Sequence, residues 1–545
     1  MTVLGVIFVL SGCASEKRPT LLPVTLPDLS RGDQAVVAQV SERYARLTEA
    51  TQRSATPAAD LAAAYGSLGM LLHAAAYYDA AEPCYLNAQA LAPNELRWPY
   101  YLAHVFKSRG DTAKEEAAFT RALELRPDDF PTLVWLGRLH VDQGRPEAAQ
   151  PLFARALALM PQSVVALAGL GGVALAQGDY RGAVTHLERA LSIDPDADRL
   201  HSPLAMAYRG LGELDKAEPH LRRWQNRELA LPDPLRQELD LQLESGMSYE
   251  SRGVRALEAK AWPSAEDYFR RGLSLTKENS PVRRSLQHKL GTALFMAGDV
   301  KGAEQQFEEV ARAAPADEID ESSARAHYSL AVLMAAQGRG PASLEHLRAA
   351  VKYQPNYREA QLALADSLRR TGSAGASLAA YKEALRINPR EASASLGYGV
   401  ALAQLGRYLE ARDWLAEAAS SAPDRPELRH GLARLLATAP DDRVRDGQRA
   451  LSIVLELRRA QKTTDLGETM AMTLAELGEY GEAVSVQRSV LAAGTKARLP
   501  QAVQRMTENL DLYERRRPCR TPWRPDEVSL IPGASEQIAA AIEPR

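Results

Sequence analysis

The chain has 545 residues, more than a single hydrophobic core serves, so it is either multidomain or a repeat array. Lys and Arg number 66 against 69 Asp and Glu, a net charge of −3, without the basic excess of a nucleic-acid binder. Aromatic residues are 6% of the chain, Ala and Leu are frequent and β-branched runs are scarce, which predicts an all-α protein.

In chain order, the first feature is an unbroken apolar run from Val3 to Leu10, followed by Ser11, Gly12 and Cys13 and then by polar sequence with Pro19. A short apolar core ahead of small residues reads as a secretory signal peptide. Leu10-Ser11-Gly12-Cys13 resembles the lipobox of bacterial lipoproteins. The resemblance implies that residues 1–13 are a signal peptide and lipobox, that Cys13 is the lipid acceptor and new N-terminus, and that the protein is anchored in the bacterial envelope. It would then face the periplasm, from the outer membrane rather than the inner. Beyond the run, no apolar stretch reaches the ~18 residues that span a bilayer. Residues 14–60 read as a linker and an N-terminal helix.

From there the chain is periodic. Prolines recur at 93, 127, 161 and 195, and again at 355, 389 and 423, always 34 residues apart. One unit carries Leu133, Leu136, Gly137, Ala149, Phe153, Ala156 and Pro161, and the next carries Leu167, Leu170, Gly171, Ala183, Leu187, Ala190 and Pro195. Apolar positions three, four and seven apart form one helical stripe. Gln177-Gly178-Asp179-Tyr180 and Ala297-Gly298-Asp299-Val300 supply mid-unit turns in which glycine ends the first helix. The terminal proline stops the second helix, and the small residues let the two helices approach. A hairpin of this kind cannot bury its own stripe and must stack on its neighbours. The pattern resembles the tetratricopeptide repeat, which implies a right-handed α-solenoid of antiparallel helix hairpins.

Units begin near 62, 96, 130, 164, 198, 246, 284, 324, 358 and 392, with two weaker ones near 426 and 464. They divide into a first array, 62–230, a joint, 231–245, marked by Pro232 and Pro234, and a second array, 246–516. The second array ends in a capping helix with Val503, Met506, Leu510 and Tyr513 on one side. The tail, 517–545, opens with a proline-rich stretch that favours extended backbone.

Patterns with possible chemistry are few. Gly169-Leu170-Gly171-Gly172-Val173-Ala174 matches a dinucleotide-loop motif, but it sits inside a repeat helix rather than after a strand. The ten histidines form no HExxH or other metal spacing, and His140, His186 and His346 sit at ordinary helix positions. No cofactor, metal or catalytic residue is predicted. Glu308-Glu309 and Asp441-Asp442 read as solvated acids, and Cys84 as a small buried hydrophobe.

The resemblance implies that the first helix of each unit lines a concave face through its second, fifth, ninth and twelfth residues. The expected groove residues are Arg97, Tyr100, His104 and Lys107, then Val134 and Arg138 with Trp135 beside them, then Arg199 and Arg209. In the second array they are His288, Arg325 and Tyr328. Cations and rings on one face suit a protein or peptide partner, acidic or extended. A chaperone-type carboxylate clamp is not expected, because Gly66 and Met70 occupy its positions. The leading expectation is a membrane-anchored interaction scaffold. An accessory subunit that positions a substrate or a catalytic partner is the alternative, and an enzyme acting from the groove is the least favoured.

Overall fold

The computed structural model describes residues 19–527 apart from 31, 54, 224–228, 316–317, 461–462, 497–499 and 525–526. Residues 1–18, including Cys13, and 528–545 lie outside the described residues. All regular structure among the described residues is helical, and the chain divides into two units, 1–248 and 249–545.

Among the described residues, the first helices of twelve repeats are Ala58–Ala74, Arg97–Arg109, Phe130–Asp142, Val164–Ala176, His201–Gly210, Gly246–Glu258, Pro281–Met296, Glu321–Ala336, Arg358–Arg370, Ala392–Gln404, Pro426–Thr438 and Thr464–Glu476. Each is followed by an antiparallel partner, such as Pro146–Leu159 after Phe130–Asp142. The turn between partners is local chemistry. At the end of Val164–Ala176 the Gly178 N–H donates to Leu175 O at 3.1 Å and the Asp179 N–H to Ala174 O at 2.8 Å. That pair of bonds satisfies the last carbonyls and requires the φ of +75° that Gly178 adopts. Asp179 then caps the next helix by accepting from the Gly182 N–H at 2.9 Å.

The two helices of a hairpin meet at glycine. A Cβ on Gly137 would lie 2.8 Å from the Phe153 ring, and one on Gly171 2.7 Å from Leu187. Phe153 also presses on Gly169 of the next repeat, where a Cβ would come within 2.4 Å. One ring therefore locks a hairpin internally and against its successor. The second unit repeats the device with Phe307 on Gly291 and Tyr381 on Gly397. The glycines of the dinucleotide-like motif are thus packing positions. Cys84 is fully buried, donates to Ala80 O at 3.3 Å, and burial pushes its thiol up to about 12.

Among the described residues, three segments lie outside the hairpins. Residues 19–57 contain the helix Gln34–Gln52, and 229–245 contain one short helix, Pro234–Asp240. After the helix Pro500–Glu514 the chain turns at Arg516 (φ +54°), and 517–524 continue without helix.

Candidate functional site

Several successive first helices touch, among them Phe130–Asp142, Val164–Ala176 and His201–Gly210 in the first unit and Arg358–Arg370, Ala392–Gln404, Pro426–Thr438 and Thr464–Glu476 in the second. In both units a length of the chain itself lies against part of the face they form.

In the first unit the segment 229–245 runs along the face against the order of the repeats. Leu229 and Leu231 pack on the apolar clusters of the 130–173 region. Asp233 accepts from Trp135 Nε1 at 3.0 Å and from the Tyr100 hydroxyl, and its other oxygen caps the short helix through the Arg236 N–H at 3.0 Å. The Tyr101 hydroxyl donates to Leu235 O and to Glu238, both at 3.1 Å, while Arg97 lies 3.7 Å from Glu238. Leu239 is buried in the cluster that holds Trp98 and Tyr101. Arg43 donates to Gln242 Oε1 at 2.9 Å, and Gln39 Nε2 to Glu244 O at 2.6 Å. As the insert advances from 233 to 244, its partners fall from 135 to 39.

Burial and these contacts set the electrostatics. Burial, then the neighbouring Asp233 carboxylate, holds the Tyr100 phenol above its usual range. His104 accepts from Arg236 Nη1 at 3.2 Å through Nδ1. A guanidinium has no acceptor atom, so His104 is the neutral Nε2–H tautomer. Burial first, and the Arg236 charge second, keep its pKa well below the ordinary histidine value.

Of the residues expected on this face, Tyr100, His104, Lys107, Trp135 and Arg138 lie together: Lys107 and Arg138 each sit 5.1 Å from the Trp135 ring, His104 stands edge-on to it at 5.0 Å, and Tyr100 lies 4.8 Å from His104. Arg97 lies 4.8 Å over the Trp98 ring. Tyr100 and His104 are buried beneath the insert, so only the outer members of the group reach solvent. Val134 is buried in the core instead of facing the groove. Arg199 and Arg209 are exposed farther along the first unit. In the second unit, His288 rests on Phe307 at 5.4 Å, Arg325 pairs with Glu321 of its own helix at 2.6 Å, and Tyr328 packs on Tyr357 at 5.1 Å. These three join no common cluster with the first group.

In the second unit, 517–524 and Glu527 lie on the inner face in the same reversed sense. Arg520 pairs with Glu476 at 2.5 Å, Pro522 O accepts from Arg434 Nε at 2.7 Å, and Arg524 O accepts from Gln404 Nε2 at 3.0 Å. Glu527 O accepts from Arg369 Nη2 at 3.5 Å. The Glu527 carboxylate meets Arg434 Nη2 at 2.7 Å and Arg505 Nη1 at 3.2 Å. The Arg434 guanidinium lies 5.8 Å from the Trp523 ring. Glu468 is fully buried and takes three bonds from Arg505, at 2.7 to 3.2 Å, and one from Asn509 at 3.0 Å. Burial works to raise the Glu468 carboxyl, and the Arg505 bonds outweigh it, leaving the pKa below the usual value.

Arg369, Arg434 and Glu468 are not among the groove residues expected from the sequence. The signal was present: they are the twelfth, ninth and fifth residues of the repeats that begin at 358, 426 and 464. Among the described residues no group of three or more His, Cys, Asp or Glu could hold a metal, and no helix is long and apolar enough to cross a membrane.

Residues 136–198, 288–359, 328–391 and 362–426 match a model described as tetratricopeptide repeat, and 174–230 match a second of the same description. The fold is a tetratricopeptide-repeat α-solenoid. Solved structures with local likeness include a MamA protein, at 22% identity over 32% of this chain and 98% of that one, with a TM-score of 0.29. MamA from Desulfovibrio magneticus RS-1 gives 17% identity over 30% and 92%, also at 0.29, and MamA MSR-1 gives 19% over 33% and 97%, at 0.27. No curated protein sequence matches this chain.

Proposed function

We propose that this chain is a non-catalytic scaffold whose repeat arrays hold extended segments of partner proteins, tethered to the bacterial envelope by lipid on Cys13 and facing the periplasm from the outer membrane. The observation that supports the binding role is that both inner faces already hold a length of polypeptide, through side-chain bonds to its backbone as well as to its side chains. A surface of that kind recognises extended chain in general, and its charged residues select among sequences.

The tether rests on the lipobox resemblance. Leu22 is pinned to the first array by two bonds to Asn87, at 2.7 and 2.9 Å. Pro19 is six positions after Cys13, a reach of about 20 Å when fully extended, so a lipid there would keep the first array close to the bilayer surface. Two acyl chains hold a protein on a membrane, whereas one binds marginally.

The test is fractionation of a bacterial host that expresses the full gene. Wild type is expected in the membrane fraction and Cys13→Ala in the soluble fraction, and equal membrane retention of the two would end the lipoprotein reading. Cross-linking in native membranes, followed by identification of the attached protein, tests the scaffold role. A chain that cross-links to no protein under conditions where it is folded contradicts that role.

A further inference from the structure

We propose that the inner face of the second array is a docking site for an extended partner peptide carrying an aromatic ring and, four residues later, a carboxylate, and that the chain's own Trp523 and Glu527 are the resident ligand such a peptide displaces. This rests on the scaffold reading and names the partner's chemistry.

Guanidiniums from three helices reach Glu527: Arg434 on Pro426–Thr438 and Arg505 on Pro500–Glu514 meet its carboxylate, and Arg369 on Arg358–Arg370 its backbone carbonyl. The array supplies carboxylates to its own guanidiniums: Glu468 and, at 4.0 Å, Asp465 to Arg505, and Asp366 beside Arg369 through the Tyr381 hydroxyl. The ion pair of Arg434, at 2.7 Å, is with Glu527 of the tail. Arg434 itself is 1% exposed. A buried charge is tolerated when paired and bonded, so the face is built to receive a carboxylate from a segment lying in it.

The resident segment is an imperfect fit. Among the described residues, Arg434 Nη1 and Trp523 Nε1 are buried donors without a hydrogen-bond partner. A buried donor left unbonded is costly, so a partner that places an acceptor at Arg434 Nη1, and whose own ring leaves no donor unbonded, binds in preference to the tail.

The experiment uses the full chain and a labelled synthetic peptide with the sequence of residues 517–530. Occupation by the tail lowers apparent affinity in proportion to the fraction of open sites. The double variant Trp523→Ala/Glu527→Gln, with helical content unchanged, is expected to bind the peptide at least about tenfold more tightly than wild type. A peptide carrying Glu527→Gln is expected to lose that gain, as is the double variant further changed at Arg434→Met. If the Arg434 change reduces helicity, the altered peptide decides the point alone. Equal binding to wild type and double variant, binding to neither, or undiminished binding of the Glu527→Gln peptide overturns the proposal. Concentration-dependent dimerisation of wild type that the double variant lacks would assign the site to a second copy's tail and overturn it as well. A cross-linked partner recovered equally from wild type and double variant leaves the scaffold reading standing and removes this one.

Discussion

Asp233 shows how much a single side chain decides here. It caps the Pro234–Asp240 helix, accepts from Trp135 at 3.0 Å and accepts from the buried Tyr100 hydroxyl. Asp233→Ala leaves two sheltered donors unpaired, at roughly 1–3 kcal/mol each, and removes a cap worth about 1 kcal/mol. The first unit is expected to unfold at lower urea, with Trp135 fluorescence shifting as the insert lifts. Asp233→Asn keeps an acceptor and is expected to lose less. An unchanged midpoint for Asp233→Ala would mean that the insert contributes nothing to the array.

At the scale of elements, the hairpins were legible and the fillings were not. Helix, turn and crossing are written within each 34-residue unit: Gly178 ends one helix, Asp179 begins the next, and Gly137 faces Phe153. The turn and crossing signals are local, so spacing alone recovers them. A leucine at Gly137 or Gly171 overpacks the crossing and is expected to cost about 1–3 kcal/mol, read as a lowered denaturation midpoint. Full retention of the midpoint in both variants contradicts the crossing geometry. The insert carried a weaker signal. Leu231, Leu235, Leu239 and Leu243 fall four apart, the stripe of a helix with one buried side, but Pro232 and Pro234 made the segment read as a joint. Asp233-Pro234 is also a helix start, cap followed by first-turn proline. The tail gave less still. Its main bonds join residues 88 and 158 apart in sequence, and no periodicity records such a pairing. Tyr100 and His104 lie under the insert and Arg97 beside it, yet nothing in their own repeats states what lies upon them.

At the scale of the molecule, acid is expected to loosen the arrays. Burial lowers His73 to about 3 and His327 to about 4, and it holds His104 well below its ordinary value. All three are neutral in the folded chain and gain protons on unfolding as the pH falls below about 6.5, so the unfolded state binds more protons and stability falls between about pH 6.5 and pH 4. His73 and His104 are both buried in the first unit; His73, lowered to about 3, is expected to cost it about 2 kcal/mol at pH 5 relative to pH 7, and His104 acts in the same direction. Urea midpoints at the two pH values check this, and His104→Gln is expected to flatten the dependence. The central claim is that each repeat array is filled by its own chain, and hydrogen–deuterium exchange of the full-length protein tests it most directly. Amides of 234–243 and 519–524 are expected to exchange far more slowly than unstructured peptide, with 519–524 losing protection in Trp523→Ala/Glu527→Gln while the hairpins of the second array keep theirs. Exchange of both segments at the unstructured rate in the wild-type chain would contradict the claim.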